Sequence, residues 1–296
     1  MTRHRGSRTP LLLLLLLPLC PACASVTAEH AKRVAAAGAA WGRATDALLL
    51  SAEEISIDAD SARVLSEGQG LAPDARRRVF EKHAGVAQDV ADFERLRRHA
   101  RLLTRYFNRL GDLSDPAVDR AADKAASRAA GAAAELGREL SGSKLLTSSE
   151  RDLLGRAAAL SVRGVREHAL ARELEARGAA IAHELLIQQT LLEAVRRQVR
   201  ADAASAHELG MQRDVARPYW ENAVTDSPGW IALRRRYTLP HAVSDALADA
   251  GDTASRLRAA WAALAEGRLD RAAWSALLAD AETLASVASA VRDVRR

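Results

Sequence analysis

The sequence predicts an all-α protein: an elongated antiparallel helical bundle of six or seven helices with one very long central helix. Three observations lead there. Alanine, leucine and arginine, all strong helix formers, dominate the chain, and aromatic residues make up only 4% of it. Apolar residues recur every seven positions over long stretches, in alternating steps of three and four, the spacing of a bundle seam or coiled coil. No segment of useful length alternates polar and apolar residues as a half-buried strand does.

The first helix is expected over residues 26–67, where Val34, Trp41, Leu48 and Ile55 share one stripe. Gly68, Gln69, Gly70 and Pro73 end it. The next is expected as one helix over residues 74–110. Val79, Val86, Phe93, Ala100 and Phe107 recur there at sevens, with His83, Val90, Leu96, Leu103 and Leu110 beside them. Arg76, Arg78, Arg95 and Arg98 lie off that seam.

Ser114-Asp115-Pro116 offers an N-cap and a first-turn proline for an alanine-rich helix over residues 121–140. Asp123, Lys124, Arg128, Glu135 and Arg138 mark that helix as a packing element rather than a membrane-inserting one. Ser141-Gly142-Ser143 breaks it, and Thr147 with Glu150 forms a capping-box pattern. The longest helical stretch follows, to about residue 224. Leu153, Leu160, Leu174, Ile181 and Val195 keep its register, with Glu167 and Gln188 as polar interruptions. The neighbouring series is small at Ala157, Gly164, Ala171 and Gly178, then large at Leu185, Leu192 and Val199. Small residues admit a close helix, so the first half is expected against the alanine-rich helix and the second in a wider core. A straight helix of this length would exceed ~100 Å, so a bend is expected near Gly178 or over residues 201–210. A turn at residues 226–229, a short helix over 230–237 closed by Pro240, and a hairpin over 241–266 and 270–294 joined at Gly267 complete the chain. Trp261 and Trp274 flank the last turn and are expected to pack together.

At the N-terminus Arg3, His4, Arg5 and Arg8 precede an apolar run from Leu11 to Leu17, and small residues follow. This is the layout of a secretory signal peptide over residues 1–22, leaving a bundle over 23–200 and a C-terminal sub-bundle over 201–296. The run is too short to span a bilayer, which takes ~20 apolar residues. Ala22-Cys23-Ala24 fits a small-x-small cleavage site that would release a chain beginning at Ser25. The same stretch resembles the lipobox of bacterial lipoproteins, with Cys20 where that pattern has leucine and Pro21 where it has a small residue. The resemblance covers the first two dozen residues and does not extend to the helical body. It implies lipidation of Cys23, a firm membrane anchor. With Ala24 after the cysteine, it implies the periplasmic face of the outer membrane; the alternative is a secreted or periplasmic soluble form.

Beyond Cys23 the chain has no cysteine, so neither disulfides nor thiolate-bound zinc are expected. Without residues 1–22 the basic residues fall from 43 to 40 against 38 acids, so the formal charge drops from +5 to +2. That nearly neutral body, its charges interspersed, is not one that binds nucleic acid.

Motifs for chemistry are near misses. His183-Glu184-Leu185-Leu186-Ile187 and His207-Glu208-Leu209-Gly210-Met211 begin like H-E-x-x-H, but Ile187 and Met211 replace the second metal-binding histidine. Ser141-Gly142-Ser143-Lys144 has the S-x-x-K spacing without the partner elements that make it catalytic. His83 and His99, on and beside a seam, read as packing histidines. The unusual window is Tyr219-Trp220 through Trp230 to Tyr237, with Arg234 and Arg235, which holds four of the chain's eleven aromatic residues. Its aromatic faces and guanidiniums suit a glycan, a peptide, a phosphate or a carboxylate; filling of a helix corner is the plainer use.

No catalytic set and no cofactor or metal site is expected. The function expected is that of a membrane-tethered, non-enzymatic scaffold or binding protein of the cell envelope, with Tyr219, Trp220, Trp230, Arg234, Arg235 and Tyr237 as its binding residues. The alternative is a secreted α-helical membrane-active protein of the pore-forming type.

Overall fold

The computed structural model describes residues 21–114, 131, 135, 169–238 and 240–295. Among them are eight α-helices: α1 Pro21–Glu67, α2 Pro73–Lys82, α3 Val86–Leu113, α4 Ala169–Gly210, α5 Arg217–Glu221, α6 Ser227–Thr238, α7 Pro240–Ala265 and α8 Arg271–Arg295. A six-residue π-helical turn, Met211–Ala216, joins α4 to α5. No strand occurs among the described residues, and the protein is an all-α bundle. Two long helices share its centre. α1 packs on α3, α4, α7 and α8, while α4 lies chiefly on α7 and α1.

Packing follows the seams. Val34, Trp41, Leu48 and Ile55 of α1 are fully buried, as are Ala100, Leu103, Phe107 and Leu110 of α3. α3 comes unusually close to α1 at two glycines one turn apart. A Cβ on Gly38 would meet the Phe107 ring at 2.6 Å, and one on Gly42 would meet Thr104 Oγ1 at 2.3 Å and the Ala100 carbonyl at 3.0 Å. On α4 the large series Leu185, Leu192 and Val199 is buried as expected.

Two tryptophans tie the layers together. Trp41 Nε1 donates to the Ala250 carbonyl of α7 at 2.9 Å, and Trp261 Nε1 of α7 donates to the Gly178 carbonyl of α4 at 2.8 Å. Trp261 also packs edge-on against Tyr106 and Phe107, at ring separations of 6.0 and 5.9 Å. The expected Trp261–Trp274 pair therefore does not form. Trp274 lies beside His30 at 6.4 Å, under the Arg33 guanidinium at 5.3 Å. A buried indole N–H needs an acceptor, which a second indole does not offer and the Gly178 carbonyl does.

The helix expected over residues 74–110 is two helices, broken at His83–Gly85. No residue of α2 is buried, and full burial on this seam begins only at Phe93. Nothing in the core rewards a continuous axis there. His83 instead turns to α1, with Nδ1 at 2.7 Å from Asp60 and Nε2 at 3.3 Å from Glu67. Ser114 caps what precedes it: its hydroxyl donates to the Leu110 carbonyl at 2.8 Å. Of the alanine-rich helix, Gly131 and Glu135 are described, and both are helical; the Ser141 loop and the Thr147 capping box lie outside the described residues. The close neighbour of Gly178 is α7, with Ala265 Cβ at 3.8 Å from the position a Cβ would take. Helical hydrogen bonding runs through Gly178 and changes at Met211, just past the second site expected for a bend.

Candidate functional site

The π turn, α5 and α6 build the corner that carries the aromatic window. Asp226 opens α6, its Oδ1 accepting from Gly229 N–H at 3.0 Å and its carbonyl from Trp230 N–H at 3.0 Å. Gly210 is required where α4 meets α6, because a Cβ there would lie 2.1 Å from the Tyr237 ring. Tyr237 is thereby buried, and its hydroxyl donates to the Asp214 carboxylate. Arg213 holds the same carboxylate in a bidentate pair, Nε at 2.6 Å and Nη2 at 2.7 Å. Chiefly through Arg213, the Asp214 carboxyl is held below its ordinary range; burial raises the Tyr237 phenol. His207 Nδ1 lies 3.0 Å from the Tyr237 carbonyl, so the histidine of the second near-miss motif serves the corner's frame.

The outer face is different. Trp230 Nε1 donates to the Val215 carbonyl at 3.1 Å, and the Trp230 ring lies 5.7 Å from Tyr219 with the Arg234 guanidinium 5.6 Å over it. Tyr219 and Trp220 stand out, 60% and 69% exposed, and Arg235, next to Arg234 in the chain, is exposed as well. The structure thus brings Tyr219, Trp230 and Arg234 into one stack, leaves Trp220 and Arg235 outward, and assigns Tyr237 to the supporting layer. Chemically this is a surface of aromatic faces with cationic tips, able to hold a planar or anionic partner. Cys23 lies in the first turn of α1, and its side chain is outside those described.

Sequence reasoning missed a second group, inside the bundle. Glu173, Arg177, Glu184 and Gln188 of α4 are all buried, and they face His99 and Tyr106 of α3. Glu173 and Arg177 form a buried ion pair one turn apart. Gln188 Nε2 donates to Glu184 Oε1 at 2.8 Å, and His99 Nδ1 lies 3.9 Å from the same oxygen. Burial pushes the Glu184 carboxyl up to about 8, against an ordinary 4.5, which favours its protonated form at neutral pH. Burial likewise raises Glu173 and lifts the Tyr106 phenol well above its usual range. Further along α4, Asp202 is buried and accepts from Ser56 at 2.7 Å, Arg63 at 2.7 Å and Gln198 at 2.9 Å. The signal was Gln188 on the heptad register, with Glu184 and Glu173 at helical spacing from it. A Glu–Arg pair four residues apart reads from sequence as a solvated surface pair. Among the described residues no three His, Cys, Asp or Glu side chains are placed to hold a metal ion.

The fold and site define an all-α bundle with a polar seam in its core and an aromatic-cationic corner on its surface. No known protein family, curated protein or solved structure matches the chain.

Proposed function

We propose that this is an exported helical-bundle protein, anchored to a membrane through lipidated Cys23, that binds another component of the cell envelope at its corner and catalyses no reaction. The observation that carries the binding reading is the stack of Tyr219, Trp230 and Arg234 with Trp220 standing out beside it. An aromatic side chain this exposed, next to a guanidinium, gains its apolar burial only when a partner covers it. The anchor reading rests on Cys23 behind a short leucine run. No helix among the described residues is long and apolar enough to cross a membrane.

Two measurements test this. Mass spectrometry of the exported chain is expected to find an acylated Cys23 at the N-terminus, and processing is expected to stop under globomycin; an unmodified Ser25 terminus overturns the anchor. A photocrosslinking residue at position 221, beside an intact Trp220, is expected to give a discrete protein or glycan adduct in the native envelope, and its absence overturns the binding surface.

A further inference from the structure

The surface that α2 makes with the end of α1 has no use in that reading. α2 is a ten-residue helix with no buried residue, shorter than the ~12–15 residues at which an isolated helix becomes even marginally stable in water. What ties it down is polar: Lys82 to Glu67 at 2.9 Å, and His83 to Asp60 and Glu67. Between α2 and α1 lies an open groove of about 640 Å³, lined by Val64, Leu65, Phe80, Arg76, Arg77 and, from the π turn, Arg213. Its apolar side chains project rather than fold inward: Phe80 is 69% exposed and Leu65 58%, with Leu71 exposed on the connecting loop. No acid lines it. Arg76 and Arg77 are exposed and make no ion pair among the described residues, whereas Arg213 is held by Asp214 and its remaining Nη1 is buried. The acids of α2, Asp74 and Glu81, are not among the lining residues, and Glu67 is taken by Lys82 and His83.

A short amphipathic helix at the end of a bundle, with protruding phenylalanine and leucines flanked by guanidiniums without acids, has the chemistry of a headgroup-layer contact. The apolar side chains enter the acyl boundary and the arginines meet lipid phosphates. We infer that the α2 surface docks peripherally on an anionic phospholipid membrane through Phe80, Leu65, Arg76 and Arg77. This goes beyond the proposed function and does not depend on the fate of Cys23, since the 47 residues of α1 put about 70 Å of helix axis between its two ends.

The test is hydrogen exchange of the exported chain with vesicles of phosphatidylglycerol and phosphatidylcholine, and with vesicles of phosphatidylcholine alone. Amides of residues 73–82 are expected to slow on the anionic vesicles only, and the slowing to fade at high salt. An anchor at Cys23 delivers the chain to both kinds of vesicle without protecting α2, so failure of the anchor and failure of the docking are read separately. Removing either Arg76 or Arg77 is expected to weaken the protecting contact about fivefold. F80D and the pair R76E/R77E are expected to abolish the slowing while the melting temperature stays unchanged, because none of these side chains is in the core. Unchanged α2 exchange on anionic vesicles overturns the inference. So does equal slowing on neutral vesicles, release of entrapped dye (insertion rather than docking), or slowing by polyglutamate without slowing by vesicles (an acidic protein partner).

Discussion

Tryptophans divide this molecule into two regions. In the interior, Trp41 and Trp261 are fully buried, and each donates its N–H to a carbonyl of another helix, 209 and 83 residues away in sequence. At the corner, Trp230 donates to a carbonyl only 15 residues back, and Trp220 keeps its ring in solvent. The same residue type holds the bundle together in one place and leaves a face open in the other. Long-range bonds among buried groups carry the global stability, and a corner tied to α1 by the exposed Arg236–Asp58 pair can alter with little effect on the rest.

The largest effect that tests this division is Trp261→Ala. It removes the link to Gly178 and the packing on Tyr106 and Phe107, and is expected to cost about 3–5 kcal/mol. Trp230→Ala is expected to cost well under half of that in the same denaturant titration. Equal costs would mean that the corner belongs to the cooperative core.

Glu184→Gln should move stability the other way. The folded carboxyl titrates near 8 and the unfolded one near 4.5, so the folded state holds the proton more tightly. Its favourable contribution is complete below the unfolded value and is lost as pH rises through 8. Glutamine keeps the shape and the acceptor for Gln188 and cannot ionise. The variant should match the native chain near pH 4 and exceed it by on the order of 3 kcal/mol at pH 7. A gain that does not grow with pH would show that Glu184 is charged and compensated, with His99 the group placed to do it.

A smaller cost is expected at the α1–α3 contact. Gly42→Ala puts a methyl group against the Ala100 carbonyl as well as the Thr104 hydroxyl, so the helices must part, at about 1–3 kcal/mol in thermal unfolding. An exposed glycine in a helix gains stability on the same change, and a gain at Gly42 would place α3 farther from α1.

The interior was the more legible region because its rule is periodic. Val34, Trp41, Leu48 and Ile55 could be read as one buried stripe from spacing alone, and so could Leu185, Leu192 and Val199. What periodicity does not carry is the partner. Nothing local says that Trp261 will choose Gly178 over Trp274, since that choice depends on a carbonyl 83 residues away. Nor does it say which polar residues are inside: Glu173 and Arg177 have the spacing of any surface pair, and only the packing of other helices buries them. The break at His83 has the same origin, two acids on another helix. At the corner, composition located the aromatic window, but the split between supporting Tyr237 and outward Trp220 required Gly210 and Asp214 to be seen beside them.

The smallest expected effect is the one that sharpens the comparison most. Trp220 is 69% exposed, so its replacement by alanine removes almost no buried area, and the change in unfolding free energy should stay within about 0.5 kcal/mol. Binding is where the loss should fall. An exposed aromatic that becomes the buried centre of an interface is a residue type whose truncation costs about 2 kcal/mol or more, some thirtyfold in affinity. The same crosslinker at position 221 measures this with the Trp220 ring present or absent. Loss of the adduct in Trp220→Ala at unchanged melting temperature separates a recognition surface from a structural one. Retention of the adduct would shift the contact to the Tyr219–Trp230–Arg234 stack, where the Trp230 ring is partly covered already and its truncation would register in both stability and binding.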